Sequence, residues 1–289
     1  MDLMRQAQVA RDISYASSAR TRGGRAVIRT METLSGRMRL IRRAEGYERE
    51  VAEGRDFWEV MAARYGLSLE VTRGSLSNIP KDGPLILVAN HPYGILDGLM
   101  MGHILRETRG EFRILANSVF QQAEALNDVV LPISFEETKA AVALNLATRK
   151  TALDTLAQGG AIGIFPGGTV STAATPMARP MDPAWRGFTA RMVKRSGATV
   201  VPIFFEGECS RLFQWASHVH VTLRLGLLIK EFGRRVDAPV RVAIGAPIGQ
   251  EALRGHNGDS KSLMEFLRRK TYELSQTPID ADALGYEFN

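Results

Sequence analysis

His91 and Asp97 stand six positions apart in the stretch Leu85-Ile86-Leu87-Val88-Ala89-Asn90-His91-Pro92-Tyr93-Gly94-Ile95-Leu96-Asp97-Gly98. An imidazole exchanges its proton near neutral pH, and a carboxylate on one ring nitrogen fixes the tautomer and leaves the other as a base. The pair could therefore take a proton from a hydroxyl. A histidine beside a proline is also a common turn residue, and an aspartate near a helix start is a common cap. A second polar turn, Phe165-Pro166-Gly167-Gly168-Thr169-Val170-Ser171, offers two glycines that let a backbone approach a ligand and line an oxyanion site. A third, Glu206-Gly207-Glu208-Cys209-Ser210-Arg211, again follows an apolar run.

Each turn needs an element to hold it. The run Leu85–Ala89 suits a strand covered on both faces, and Ile95–Leu105 is long enough for a helix. That leaves His91 at a strand's carboxyl end, where open α/β sheets bind ligands, and Asp97 in a first helical turn, where the dipole favours a carboxylate. Further strands are predicted at 67–71, 112–116, 129–133, 161–165, 199–205 and 240–244. Helices are predicted near 137–158 (with Val142, Leu146, Leu153 and Leu156 facing in), 185–195, 223–232 and 261–274. This alternation predicts an α/β fold, a largely parallel mixed sheet flanked by helices, with the three polar turns on one side.

Composition narrows the function classes. With 45% apolar and 24% charged residues the chain has ample core, and its single cysteine, Cys209, excludes an internal disulfide. No apolar run reaches the roughly 18 residues a spanning helix needs, and the amino terminus has no secretion-signal core. The net charge of +6 is concentrated: residues 1–43 hold ten arginines against Asp2, Asp12 and Glu32, leaving the remainder near −1. Residues 1–20 read as a loose helix. From Arg22 to Arg43, Val27, Met31, Leu34, Met38 and Ile41 form one apolar stripe among arginines, and a second helix follows Gly46 with Val51, Trp58, Met61 and Tyr65 on one side.

The expected organisation is a basic helical segment over 1–66 and an α/β domain over 67–289. The segment is expected to dock on an anionic membrane surface, or else to pack on the protein's own core. The protein is thus expected to be cytoplasmic and peripheral on the inner face of the cell membrane. No nucleic-acid signature accompanies the basic arm. No metal site is expected, since His103, His218, His220 and His256 lack ligand spacing beyond His218-x-His220, on a strand.

The motifs Asn-His-Pro-x-Gly-x-x-Asp-Gly, Phe-Pro-x-Gly-x-x-Ser and Val-Pro-x-x-Phe-x-Gly, in that order between Gly46 and Leu274, resemble the lysophospholipid (glycerophosphate) acyltransferase superfamily. Its hemolysin-like branch, which includes acyltransferases that complete ornithine lipids, looks nearest. The resemblance implies that His91 is the catalytic base and Asp97 its partner, with Gly168 and Ser171 in the third motif and Pro202 in the fourth. Five residues separate His91 from Asp97 where the superfamily usually has four, a spacing the hemolysin-like branch shares. Gly167 and Val170 replace the usual Glu and Arg of the third motif. The missing arginine argues against a phosphate-headed acceptor and makes Arg211 and Arg224 candidates for an acidic headgroup.

The implied reaction moves a fatty acyl group from an acyl carrier protein or coenzyme A thioester to the hydroxyl of a lysolipid, with no bound cofactor. Backbone donors at Gly94 and Gly167-Gly168 are expected to stabilise the oxyanion. Asn90, Gly94, Gly167, Gly168, Thr169, Ser171, Glu206, Gly207, Ser210, Arg211 and Arg224 complete the candidate substrate set. Two rivals remain: an acyl-ester hydrolase using the same pair, and a non-catalytic lipid-binding protein.

Overall fold

The computed structural model describes residues 14–19, 21–117, 126–134, 138–256 and 259–288. The loose helix expected over 1–20 lies mostly outside these residues; within them, Tyr15–Ser18 makes a single 3-10 turn. Helices α1 (Arg22–Leu34), α2 (Arg37–Ala44), α3 (Tyr47–Ala52) and α4 (Phe57–Arg64) come first, followed by strand β1 (Ser68–Arg73). Then come β2 (Leu85–Ala89), α5 (Ile95–Arg109), β3 (Phe112–Asn117), β4 (Val130–Ile133), α6 (Lys139–Ala157) and β5 (Ala161–Ile164). A two-stranded ribbon, β6 (Thr172–Ala173) and β7 (Pro180–Met181), precedes α7 (Gly187–Ser196) and β8 (Thr199–Phe205). The chain finishes with α8 (Arg211–Val219), α9 (Val221–Gly233), β9 (Pro239–Ile244), α10 (Gln250–Arg254) and α11 (Ser260–Tyr272).

Seven strands form one sheet in the order β1-β9-β8-β2-β5-β3-β4, with every pairing parallel except β8 with β9. The fold is the expected mixed α/β sheet flanked by helices. Strand β2 lies between β8 and β5, so all five of its residues are buried, which explains its unbroken apolar run. Its register pairs Val88 with both Pro202 and Ile164, so β8, β2 and β5 end side by side and their turns open on one edge. No helix of the described residues is long and apolar enough to cross a membrane.

The amino-terminal stripe differs from its sequence pattern. The helix expected over 22–43 breaks at Gly36, which adopts φ +91°, and the break resets the rotational phase of the segment after it. Ile28, Leu40 and Ala44 are buried, whereas Val27, Leu34 and Met38 are exposed. The buried residues join Tyr47, Trp58 and Tyr65 in the cluster that covers one face of the sheet, so helices α1 to α4 share a core with the strands.

Two further expectations need correction. The segment after Ser210 is a helix, α8, so His218 sits in a helical last turn and His220 caps α9; neither lies on a strand. On α6 the inward residues are Ala141, Thr148, Ala152 and Leu156, while Val142 and Leu146 are exposed. Small residues suit that close approach to β4, where Thr148 Oγ1 donates to Pro132 O at 2.7 Å.

Candidate active site

Asp97 is fully buried at the third position of α5, and one carboxylate oxygen accepts from the backbone N–H of Tyr93 (2.7 Å) and Gly94 (2.9 Å). Those bonds close the turn that Pro92 and Gly94 begin, with Gly94 at φ +80°. The same oxygen lies 3.1 Å from His91 Nδ1. Ring nitrogen and carboxylate are at ion-pair distance but not in line for a full hydrogen bond, a geometry that catalytic pairs commonly tighten toward the transition state. Burial pushes the Asp97 carboxyl above its ordinary value; His91 and the two backbone donors oppose that rise.

The His91 ring stacks on Phe165, with centroids 4.2 Å apart and planes at 26°. Its Nδ1 is buried, and the side chain is 18% exposed, so the accessible edge is the one carrying Nε2. That edge meets a cavity of about 1040 Å³ whose lining is mainly apolar. Phe57, Trp58, Met61, Leu99, Leu228 and Phe232 belong to its wall on one face of the sheet; Val142, Leu146, Phe188 and the basic Arg149, Arg186 and Arg191 belong to its wall on the other. The imidazole thus stands over the sheet edge, between two walls of different character.

The glycine turn reaches the histidine. Ser171 N–H donates to His91 O at 2.8 Å, which ties the two strand-end turns together. A buried carboxylate that sequence reading missed, Asp182, holds both. Its Oδ1 accepts from Ser171 Oγ (2.5 Å) and His91 N–H (3.2 Å), and its Oδ2 accepts from Trp185 Nε1 (2.8 Å). The available signal was an acidic residue inside the apolar run Met181-Asp182-Pro183-Ala184-Trp185, where an unpaired carboxylate would be costly.

Of the candidate substrate residues, Gly94, Gly168, Thr169 and Arg224 line the cavity with His91. Arg224 is buried and donates to Thr169 Oγ1 (2.9 Å), Val170 O (2.7 Å), Thr172 Oγ1 (2.5 Å) and Ser217 Oγ (3.0 Å). A guidanidium from α9 thus reaches the turn in which Val170 stands where an arginine was expected. Burial lowers its pKa to about 10, which leaves it cationic at neutral pH.

The others are engaged in holding structure. Asn90 exchanges two hydrogen bonds with the Phe205 backbone, clamping β2 to β8. Glu206 accepts from Thr72, and Gly207 makes room for the Tyr93 hydroxyl, since a Cβ there would sit 1.7 Å from it. Ser210 caps α8 and bonds Glu231, while Arg211 reaches the carbonyls of Met177 and Ala178 away from the cavity. Ser171 is bonded to Asp182, and Gly167 packs against that same carboxylate. The expected oxyanion donors also need revision. Gly94 N–H is held by Asp97 and Gly168 N–H by Phe165 O, so neither is free to turn to an oxyanion. Among the described residues no group of three or more potential metal ligands converges.

A histidine–aspartate pair at the carboxyl ends of the strands thus opens on a mainly apolar cavity, an arrangement chemically able to exchange a proton with a bound group. Residues 34–282 match the acyltransferase family, and the chain belongs to that family. With it the chain joins the lysophospholipid acyltransferase superfamily that its motifs resemble. It is similar to the lyso-glycine lipid O-acyltransferase of Phocaeicola vulgatus, with 27% identity over 161 residues, 55% of this chain and 54% of that protein. It is also similar to the enzyme of the same name from Bacteroides thetaiotaomicron, with 32% identity over 82 residues, 28% of this chain and 29% of that one. The chain therefore spans about half the length of the first relative and less than a third of the second. The crystal structure of the 1-acyl-sn-glycerophosphate (LPA) acyltransferase PlsC from Thermotoga maritima aligns over 97% of this chain and 100% of that one. The identity there is 17% and the TM-score 0.43.

Proposed function

We propose that the protein transfers a fatty acyl group from a thioester to the hydroxyl of a lysolipid. The observation that carries this reading is the His91 ring, backed by Asp97, with its free edge on a largely apolar cavity. His91 Nε2 takes the acceptor hydroxyl's proton as the oxygen attacks the thioester carbonyl, and Asp97 steadies the imidazolium. Collapse of the tetrahedral intermediate releases the thiol, to which His91 returns the proton. Positioned base catalysis of this kind contributes about 10²–10⁴-fold. The donor is a carrier-protein or coenzyme A thioester. The names of the relatives favour an acceptor whose headgroup is an amino acid, and ornithine-type lysolipids belong to the same class. Arg224 lines the cavity, but its guanidinium is already bonded to Thr169, Val170, Thr172 and Ser217, so it acts on such a headgroup's carboxylate through its charge alone; Arg211, outside the cavity, does not. A peripheral position on the inner face of the cell membrane brings the acceptor within reach.

The test is turnover of a radiolabelled acyl thioester with lyso-amino-acid lipid, lysophosphatidate or no acceptor. Label should pass to the lyso-amino-acid lipid and fall to background in folded His91→Ala protein. Free fatty acid at the same rate with and without acceptor would make the protein a hydrolase. Lipid binding without turnover would make it a binding protein.

A further inference from the structure

Among the described residues, a group of exposed apolar side chains separate from the amino-terminal stripe lies on and beside α8. Leu212, Trp215 and Val219 project from one face of α8, at spacings of three and four residues, and are 52%, 53% and 69% exposed. Val221 continues the row at the start of α9 (52% exposed), and Arg211 bonds the carbonyl of the more exposed Met177 at the other end. The opposite face of α8 buries Phe213, Gln214, Ala216 and Ser217, so the helix is fixed and the outward row is not a core stripe turned loose.

The charges around this ridge are mainly positive, with Glu208, 3.9 Å from Arg211, the acid at its edge. No aspartate or glutamate occurs from Arg211 to Lys230 or from Ser171 to Met181. The first turn of α1 lies beside the first turn of α9, where a Cβ on Gly24 would stand 3.6 Å from Thr222 Oγ1. That neighbour brings the exposed Arg22, Arg25 and Arg29, and the only acidic residue of α1, Glu32, is buried. An exposed apolar row with an indole, bordered mainly by cations, matches the boundary of an anionic bilayer.

We infer that the α8 ridge formed by Met177, Leu212, Trp215, Val219 and Val221 inserts into an anionic lipid surface. The inner face of the same helix touches the site. Ser217 accepts from Arg224, whose guanidinium also lies 4.9 Å over the Phe213 ring and lines the cavity. The ridge is therefore separated from the candidate headgroup pocket by one helix, about 10 Å. A lysolipid leaving the bilayer there has a short path to His91. This last step rests on the acyl-transfer reading; the lipid contact itself does not.

The experiment is cosedimentation with vesicles of phosphatidylcholine alone or mixed with phosphatidylglycerol, together with tryptophan emission. Trp58 and Trp185 are buried, so a blue shift on adding vesicles reports Trp215. Wild type should bind the mixed vesicles and shift to the blue. The triple variant Leu212→Ser/Trp215→Ser/Val219→Ser should lose at least about tenfold in vesicle affinity, given the apolar area withdrawn. It should keep its melting temperature and its turnover of detergent-dispersed acceptor. A second triple variant, Val27→Ser/Leu34→Ser/Met38→Ser, should bind vesicles within about twofold of wild type, because those side chains lie off the ridge. Unchanged vesicle affinity in the first variant, or loss confined to the second, would overturn the proposal. So would a solution dimer that only the first variant dissolves, or a fall in melting temperature showing that the ridge supports the fold. Vesicle binding needs no turnover, so failure of the acyl-transfer reading leaves this result standing or falling by itself.

Discussion

The turn after β2 and the turn after β8 both end a buried strand with polar residues, yet the structure engages them in opposite ways. After β2, His91 keeps one ring edge free while everything around it is tied down: Asp97 to Tyr93 and Gly94, the His91 carbonyl to Ser171 and the His91 N–H to Asp182. After β8, Glu206, Ser210 and Arg211 all have protein partners, and none faces the cavity. A strand-end position makes a polar group available to a ligand only if no neighbour has already satisfied it. The useful signal is an unengaged atom held by engaged ones.

That contrast is sharpest at His91 itself. His91→Ala should lower turnover by about 10²–10⁴-fold with little change in melting temperature, measured by acyl transfer and calorimetry. If the loss is only a few-fold, the free ring edge has no role. Asp97→Asn should cost on the order of 10²-fold or more in kcat, because an amide no longer supports the imidazolium. It also carries a pH signature. The folded protein holds the Asp97 proton more tightly than the unfolded chain does, so the stability from this group is fully present below the ordinary value of 3.8. That contribution is lost as pH rises through the raised folded value. Denaturant titrations should therefore show wild type gaining on Asp97→Asn as the solution is acidified from neutrality.

Asp182→Ala tests the scaffolding half of the comparison. It orphans two buried donors, Ser171 Oγ and Trp185 Nε1, at about 1–3 kcal/mol each, and the part-buried His91 N–H, and should lower both stability and kcat while leaving the pH midpoint of the rate unchanged. A shifted midpoint would mean that Asp182 acts on the ring directly. Gly94→Ala should cost about 1–2 kcal/mol, since an alanine at φ +80° is strained and its Cβ would meet Val170 Cγ2 at 3.1 Å. The smallest effects belong to the turn after β8. Arg211→Ala and Glu206→Gln should each stay within about 0.5 kcal/mol in stability and leave turnover near wild type. A large loss of turnover in either would erase the distinction between the two turns.

Much of the sheet was readable in advance, because burial on both faces leaves an unbroken apolar run, as at Leu85–Ala89 and Thr199–Phe205. The His91–Asp97 pair was readable for a local reason, since strand, turn and helix start fall within fourteen residues. Helix α8 was missed because Phe213 and Ala216 on its buried face alternate with Leu212, Trp215 and Val219 on its exposed one, so no amphipathic period stands out. The stripe over 22–43 was misphased because one glycine at positive φ resets the rotation between two helices.

From the sequence alone came the α/β class, the strand-end histidine with its carboxylate, and the concentration of positive charge at one end. Only the tertiary structure could decide which polar groups remain free. Asp182 reaches Ser171 across eleven residues and His91 across ninety-one, and Arg224 reaches Thr169 across fifty-five. Hydrogen-bond satisfaction is a property of neighbours in space, and no local pattern of residues records who those neighbours are.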